Sequence, residues 1–212
     1  MCGRYTLRVP PQDLWNALQA EFNWQPRYNI APSQEVPVVR MIDGKPKLDK
    51  LRWGFVPSWA KDEKIGYKMI NARSEEIARS YKGALKNWRS LVVADGWYEW
   101  KNKQPYHFHL PDNHPFAFAG LWEKWKDMLS FTIFTTSANE ISADYHDRMP
   151  VILPEETWYP WLDPEIDGNE LVEPFLKSWE GELEVDEANK IVGNPRNEGP
   201  GCLGDKGKDQ LF

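Results

Sequence analysis

At 212 residues, 41% hydrophobic and with 12 Trp, the chain has enough apolar material for one substantial core, which argues for a packed globular protein of a single domain. Its two cysteines, at opposite ends, make no disulfide framework, and no apolar run approaches a bilayer span or a secretory signal; a reduced, cytoplasmic setting with no membrane partner follows. The net charge of −6 weighs against nucleic acid, yet residues 1–105 carry 18 Lys+Arg against 11 Asp+Glu while residues 106–212 carry 8 against 21, so the first half can still build a basic face.

In chain order, Met1-Cys2-Gly3-Arg4-Tyr5 comes first. Removal of Met1, which the small side chain of Cys2 permits, leaves an amine and a thiol on adjacent carbons. An α-amine titrates at about 7.7–8.0 and a thiol at about 8.5, so the free amine can add to a carbonyl and the tethered thiol can close a five-membered thiazolidine ring. Such a terminus is a reagent for aldehydes; the plainer alternative is a small buried apolar residue.

Residues 10–22 predict a helix, with Pro10 and Pro11 before its first turn and Leu14, Leu18 and Phe22 on one face. Residues 27–32 (RYNIAP) read as irregular for their Pro and Asn, and residues 36–42 and 48–56 as strands of a hairpin turning at Asp43-Gly44. Ser74 before Glu75 and Glu76 predicts a helix N-cap, with the helix running to about residue 88. Strands follow over residues 91–94, 97–101, 106–110, 116–122 and 129–136, an antiparallel pattern. Short helices at 155–162 and 168–179 and a strand near 183–185 precede residues 193–212, which read as loop and tail for their glycines. These elements favour an α+β fold: mainly antiparallel curved sheets in an open pseudo-barrel with peripheral helices.

Few residues suit the chemistry of a thiol-amine. Glu99 lies in residues 94–100 (ADGWYEW), on the same strand face as Trp97; pointed into the core, its carboxyl would titrate high, as a general acid or base requires, whereas on an exposed face it would be an ordinary carboxylate. His146, followed by Asp147 and Arg148, has neighbours that set its charge near neutrality. His107 and His109 share a strand face, but without a third ligand in register they make a weak metal signal, and no metal is assigned. Asn71 and Arg73 (INAR, residues 70–73) suit hydrogen bonding and phosphate contact, and the aromatics of residues 53–59 (WGFVPSW) suit packing or base stacking. No glycine-rich phosphate loop or dinucleotide fingerprint occurs, which argues against nucleotide hydrolysis and dinucleotide chemistry.

The opening MCGRY, RYNIAP, WGFVPSW, INAR, ADGWYEW, HDRMP (residues 146–150) and VGNPRN (residues 192–197), in this order, resemble the SOS response-associated peptidase (SRAP) family of abasic-site processing proteins. The resemblance spans nearly the whole chain. It implies the SRAP-type fold and a sensor of abasic sites in single-stranded DNA that crosslinks to them through Cys2, with β-elimination lyase activity and self-processing that exposes Cys2. By the same resemblance Asn71 orients the amine or the sugar, Glu99 shuttles protons and His146 protonates the sugar ring oxygen. Arg4 and Arg73 are implied as phosphate contacts, Trp59 as the stacking ring, and Asn29 and Pro32 as lining the site. No cofactor is implied, and a monomer is the default. Position 60 is Ala where some relatives carry a second aromatic, which puts any junction preference in doubt. Two other readings remain open: a thiol peptidase acting on other proteins with Cys2 paired to His146, and a noncovalent single-stranded DNA-binding module.

Overall fold

A computed structural model describes residues 2–9, 25–77 and 81–204. The helix expected over residues 10–22 falls outside them.

The hairpin of β3 (Glu35–Ile42) and β4 (Lys45–Trp53) forms as its sequence demands: the pairing runs from Glu35↔Arg52 to Ile42↔Lys45, and Asp43 and Gly44 turn with φ of 50° and 72°, the left-handed pair that matches the twist of adjoining strands. Two long apolar strands, β9 (Phe116–Trp125) and β10 (Met128–Ser137), make a second hairpin. With β6 (Arg89–Ala94) they belong to an eight-stranded sheet that curves until β9 and β10 meet, so that β10, β4, β3, β6 and β9 form a closed ring. Both partners of β10 on its other edge, β4 and the short β5 (Asn71–Arg73), run parallel to it. Inside the ring Trp53 stacks on Phe131, ring centroids 6.3 Å apart, and Tyr5 meets Trp53 edge-on at 5.2 Å.

The five-stranded sheet stays open. Its centre is β7 (Gly96–Lys101), flanked by β8 (Gln104–His109) and by β1 (Tyr5–Leu7), with β2 (Arg27–Ile30) outside β1 and a late strand, Glu184–Glu187, outside β8. The chain passes from one sheet to the other at Asp95, between β6 and β7. Helices are short and peripheral: α1 (Lys82–Asn87), α2 (Glu140–Ala143), α3 (Trp158–Leu162) and α4 (Gly168–Phe175) among the described residues. The architecture is thus α+β, built on mainly antiparallel curved sheets. No helix among the described residues is long and apolar enough to cross a membrane.

Three expectations are corrected. RYNIAP is not irregular throughout: Arg27–Ile30 is a strand, and the Pro begins only the following turn, where Gln34 N–H reaches Ala31 O and Ser33 takes φ of 72°. Ser74 is not a cap; Arg73 still pairs with Thr135 in an extended conformation, so Ser74 is already the first residue of a short 3-10 turn and is buried there. Residues 193–204 are no loose tail: Val192, Cys202 and Leu203 pack with Tyr28, Tyr98 and Ala188 in a second small core.

Asp95, fully buried, ties the amino-terminal strand down. Its carboxylate accepts from the backbone N–H of Arg8 and of Val9 (2.9 Å), from Thr6 Oγ1 (2.6 Å) and from Arg8 Nε (3.2 Å). Thr6 spends its one proton on Asp95, so the contact from its oxygen to His107 Nε2 (3.0 Å) makes that nitrogen the donor and fixes the tautomer of a buried ring that its surroundings hold neutral. His107 and His109 stack 5.3 Å apart, with Asp186 Oδ2 3.4 Å from His109 Nε2, which accounts for both as packed, hydrogen-bonded residues.

Removing a carboxylate that carries this many donors strands Arg8 and Thr6. Asp95→Ala is expected to lower the unfolding free energy by about 3–5 kcal/mol in urea melts followed by circular dichroism; a loss near that of an exposed Asp→Ala change would contradict the clasp.

Candidate active site around the amino terminus

The clasp sets the register of everything before it. Tyr5 pairs with Trp97 and Thr6 with Gly96, Asp95 N–H reaches Thr6 O and Tyr98 N–H reaches Arg4 O, both at 3.0 Å. Continuing this antiparallel pairing sets Gly3 opposite Glu99, with Cys2 adjoining.

Cys2 is fully buried within the main core. Its Sγ lies 3.8 Å from Arg4 O. Burial first, and the negative charge of Glu99 second, hold the thiol well above its ordinary titration range, so it is a protonated S–H at neutral pH. Asn71, on β5 beside Ile133, donates from Nδ2 to Cys2 O at 2.8 Å. The other atom of the same amide, Oδ1, is buried and, among the described residues, accepts no hydrogen bond. Arg4 is half-buried, its Nη1 held by Gly3 O at 2.7 Å, and burial lowers its pKa.

Glu99 does point inward. It is 4% exposed, and burial pushes its carboxyl up to about 7; the positive amino terminus and a hydrogen bond from it pull the other way, and the charge of Asp147 adds to the rise. His146 stands at the edge, its side chain 30% exposed, with Nδ1 accepting from Arg148 N–H at 2.9 Å and Asp147 Oδ1 2.9 Å from the same nitrogen. Burial, then the amino-terminal charge, hold the ring below its usual pKa, with Asp147 opposing. A neutral ring whose Nδ1 accepts carries its proton on Nε2, so the approach to Asp147 becomes an ion pair only on protonation. Arg148 braces this loop by a two-pronged pair with Glu75 (2.7 and 2.9 Å) and a bond to Thr135 O (2.6 Å), tying it to the stretch that follows Asn71. Sequence reasoning did not single out Arg148 or Asp95 as braces, because their partners lie 73 and 87 residues away.

Of the remaining predicted residues, Arg73 follows Asn71 on β5, while Trp59, Pro32 and Asn29 lie on other segments. Arg73 is exposed and 3.8 Å from Glu76. Trp59 is 74% exposed on a turn pinned from beneath by Glu123, which accepts from Ser58 N–H, and by Trp125, whose Nε1 donates to Ala60 O at 2.7 Å. The loop after that turn folds back because Gly54 and Gly66 touch: a Cβ on Gly54, whose φ is 127°, would lie 2.8 Å from Gly66 O. Pro32 is half-buried in its turn. Asn29 is fully buried and donates to Asn194 O (3.0 Å) and Asn197 O (2.9 Å), so it joins β2 to the carboxy-terminal segment rather than standing on the surface.

A raised carboxyl pKa makes stability depend on pH with a definite sign. Glu99 binds its proton more tightly folded (about 7) than unfolded (ordinary value 4.5), so its contribution is full below the unfolded pKa and is lost as pH rises through the folded one. Between pH 4.5 and pH 8 the full-length protein is expected to lose on the order of 3 kcal/mol from this group. Urea melts at several pH values check it: Glu99→Gln should flatten this part of the profile, and an unchanged slope would exclude the assignment.

The family model described as SOS response associated peptidase (SRAP) matches residues 1–195. The chain is 38% identical to abasic site processing protein YoqW of Bacillus subtilis (strain 168), covering 94% of this chain and 97% of that one. It is 30% identical to abasic site processing protein YedK of Escherichia coli (strain K12), again covering 94% of this chain and 97% of that one. A crystal structure of a Bacteroides thetaiotaomicron protein superposes with a TM-score of 0.83 at 22% identity, covering 96% of this chain and 99% of that one, which shows a shared fold. The chain belongs to the SOS response-associated peptidase (SRAP) family.

Proposed function

We propose that the protein processes abasic sites in DNA, trapping them in single strands through a covalent thiazolidine bond to Cys2 once Met1 has been removed. The observation that carries the reading is Cys2, held through its backbone by Asn71 beside a carboxyl poised near pH 7. Two relatives bear the name abasic site processing protein. An abasic deoxyribose exchanges with its ring-opened aldehyde, the partner that a 1,2-aminothiol requires.

In the proposed sequence a His146 that has taken a proton at Nδ1, where Asp147 faces it, gives its Nε2 proton to the sugar ring oxygen as the ring opens, while the ionised Glu99 takes the proton of the C1 hydroxyl that becomes the aldehyde. The α-amine then adds to the aldehyde carbon, with Asn71 Oδ1 accepting one of its hydrogens and Glu99 removing another. The proton that Glu99 took from the C1 hydroxyl has by then gone to the aldehyde oxygen and the amine proton follows it, so that the carbinolamine oxygen leaves as water, and the iminium carbon takes the sulfur while the thiol proton passes to Glu99. Aldehyde and aminothiol thus give thiazolidine and one water, with no oxidant and no cofactor. Left untrapped, the iminium acidifies the adjacent sugar carbon; Glu99 removes that proton and the 3′-phosphate departs, which is the lyase branch. The peptidase branch is hydrolysis of the Met1–Cys2 bond. Arg4 and Arg73 meet phosphates, and Trp59 stacks at the gap left by the missing base. The protein acts as a monomer. A thiol raised by burial and by Glu99 suits late ring closure, and it argues against a thiolate peptidase acting on other proteins.

Mature protein mixed with single-stranded DNA bearing one abasic site is expected to give a heat- and detergent-stable adduct. Its intact mass should equal protein without Met1 plus DNA minus one water, and undamaged DNA should give none. Cys2→Ala and acetylation of the terminus should each abolish the adduct while noncovalent affinity persists, and Glu99→Gln should slow it by about 10²–10⁴-fold. Active protein that retains Met1 would overturn the mechanism.

A further inference from the structure

Next to the proposed site lies a concavity that its chemistry leaves unused. A cavity of about 360 Å3 opens under Trp59, walled by the rings of Phe55, Trp59, Tyr81 and Trp88. Small-ligand sites commonly enclose about 300–1,000 Å3. Met69, also in the wall, accepts from Phe55 N–H at 3.1 Å and lies just before Ile70 and Asn71, so the cavity wall and the strand that holds Cys2 are one continuous piece of backbone. The inner rings are braced: Phe55 meets Tyr81 edge-on at 5.5 Å, and Trp88 stacks on Trp122 at 5.5 Å. Trp59 stands free above them.

Among the described residues, one carboxylic side chain lines this aromatic space. Glu123 is 8% exposed and lines the cavity; its Oε1 accepts from Ser58 N–H at 3.0 Å, and among the described residues its other oxygen accepts no hydrogen bond. Flat walls select a flat ligand, and a buried carboxylate selects one whose edge carries donors. Guanine is the base that fits. Its N1–H and N2–H lie side by side and match the two oxygens of a carboxylate, one of which keeps a lone pair beside Ser58. Adenine and cytosine set their single amino group next to a ring nitrogen whose lone pair a carboxylate repels, and thymine flanks its one N–H with carbonyl oxygens.

We propose that this cavity receives an unpaired guanine adjacent to the abasic nucleotide, stacked between Trp59 and Tyr81 and read by Glu123. The assignment rests on the abasic-site reading given above, and it adds a sequence preference to that reading.

Full-length protein is titrated with single-stranded oligonucleotides that carry one tetrahydrofuran abasic analogue, which has no aldehyde, flanked on one side or the other by G, A, C or T. Binding is read by fluorescence anisotropy, and crosslinking rates are read on matching strands with true abasic sites. The guanine flank on one side is expected to bind about fivefold or more tighter than the other bases, the discrimination of a bidentate contact. Glu123→Gln should bring guanine to within about twofold of the rest and leave A, C and T flanks unchanged. Gly83→Leu is the second variant: Gly83 lines the cavity and a Cβ there meets no described atom within 4 Å, so the backbone leaves room for a side chain that takes up cavity space. It should remove the guanine preference with the thermal midpoint unchanged. Equal binding to all flanks, or a guanine preference that survives both variants, overturns the proposal. A preference on the analogue with no adduct on true abasic strands would support the pocket and defeat the covalent reading of Cys2; adducts indifferent to the flank would do the reverse.

Discussion

The structure depends on the attachment of a three-residue strand, Tyr5–Leu7, to the inside of a sheet. Chain termini fray unless something holds them. Here β1 is hydrogen-bonded on both sides, to β2 and β7, and the buried carboxylate of Asp95 receives the next turn of backbone together with Thr6 and Arg8. Burying a carboxylate is costly unless its lone pairs are filled, and here several donors fill them. The reward is positional: with Tyr5 locked to Trp97 and packed on Trp53, the residues before it cannot avoid Glu99.

Burial also changes what those residues can do. An exposed Cys2 would be an ordinary thiol; enclosed, it keeps its proton, while the same enclosure lifts Glu99 to about 7, where half the carboxyl is ionised at neutral pH. One cause therefore disables the sulfur as a first nucleophile and prepares the base that can later take its proton. In the proposed reaction the amine is then left to form the first bond. That order is the one thiazolidine formation requires.

Much of this was readable in the sequence where the cause is local. Asp43-Gly44 dictates its own turn, and alternation of apolar residues marks the strands from Arg89 to Ser137. What was not readable depends on distant partners. RYNI looks irregular until Glu198, some 170 residues away, is seen accepting from the N–H groups of Tyr28 and Asn29. Strand alternation placed Glu99 with Trp97 and opposite Tyr98, but alternation does not say which face is covered. Both are: Trp97 belongs to the main core and Tyr98 to the smaller one formed with the carboxy-terminal segment. The position of Cys2 offers an amine and a thiol, with a small buried apolar residue as the open alternative; its enclosure shows only in the fold.

The motifs accordingly divide by physical task. INAR supplies Asn71 to Cys2, ADGWYEW supplies both the Asp95 clasp and Glu99, and HDRMP brings His146 to the edge of the cluster on a loop that Arg148 fastens to Glu75. RYNIAP and VGNPRN do something else. Asn29 bonds to the carbonyls of Asn194 and Asn197, and Tyr98 Oη donates to Tyr28 O, so these two motifs seal the far face of β7. Without that seal β7 would be covered on one side only, and water reaching Tyr98 from behind would loosen the strand that carries Glu99. The carboxy-terminal segment therefore supports the strand that carries Glu99 by packing on its opposite face.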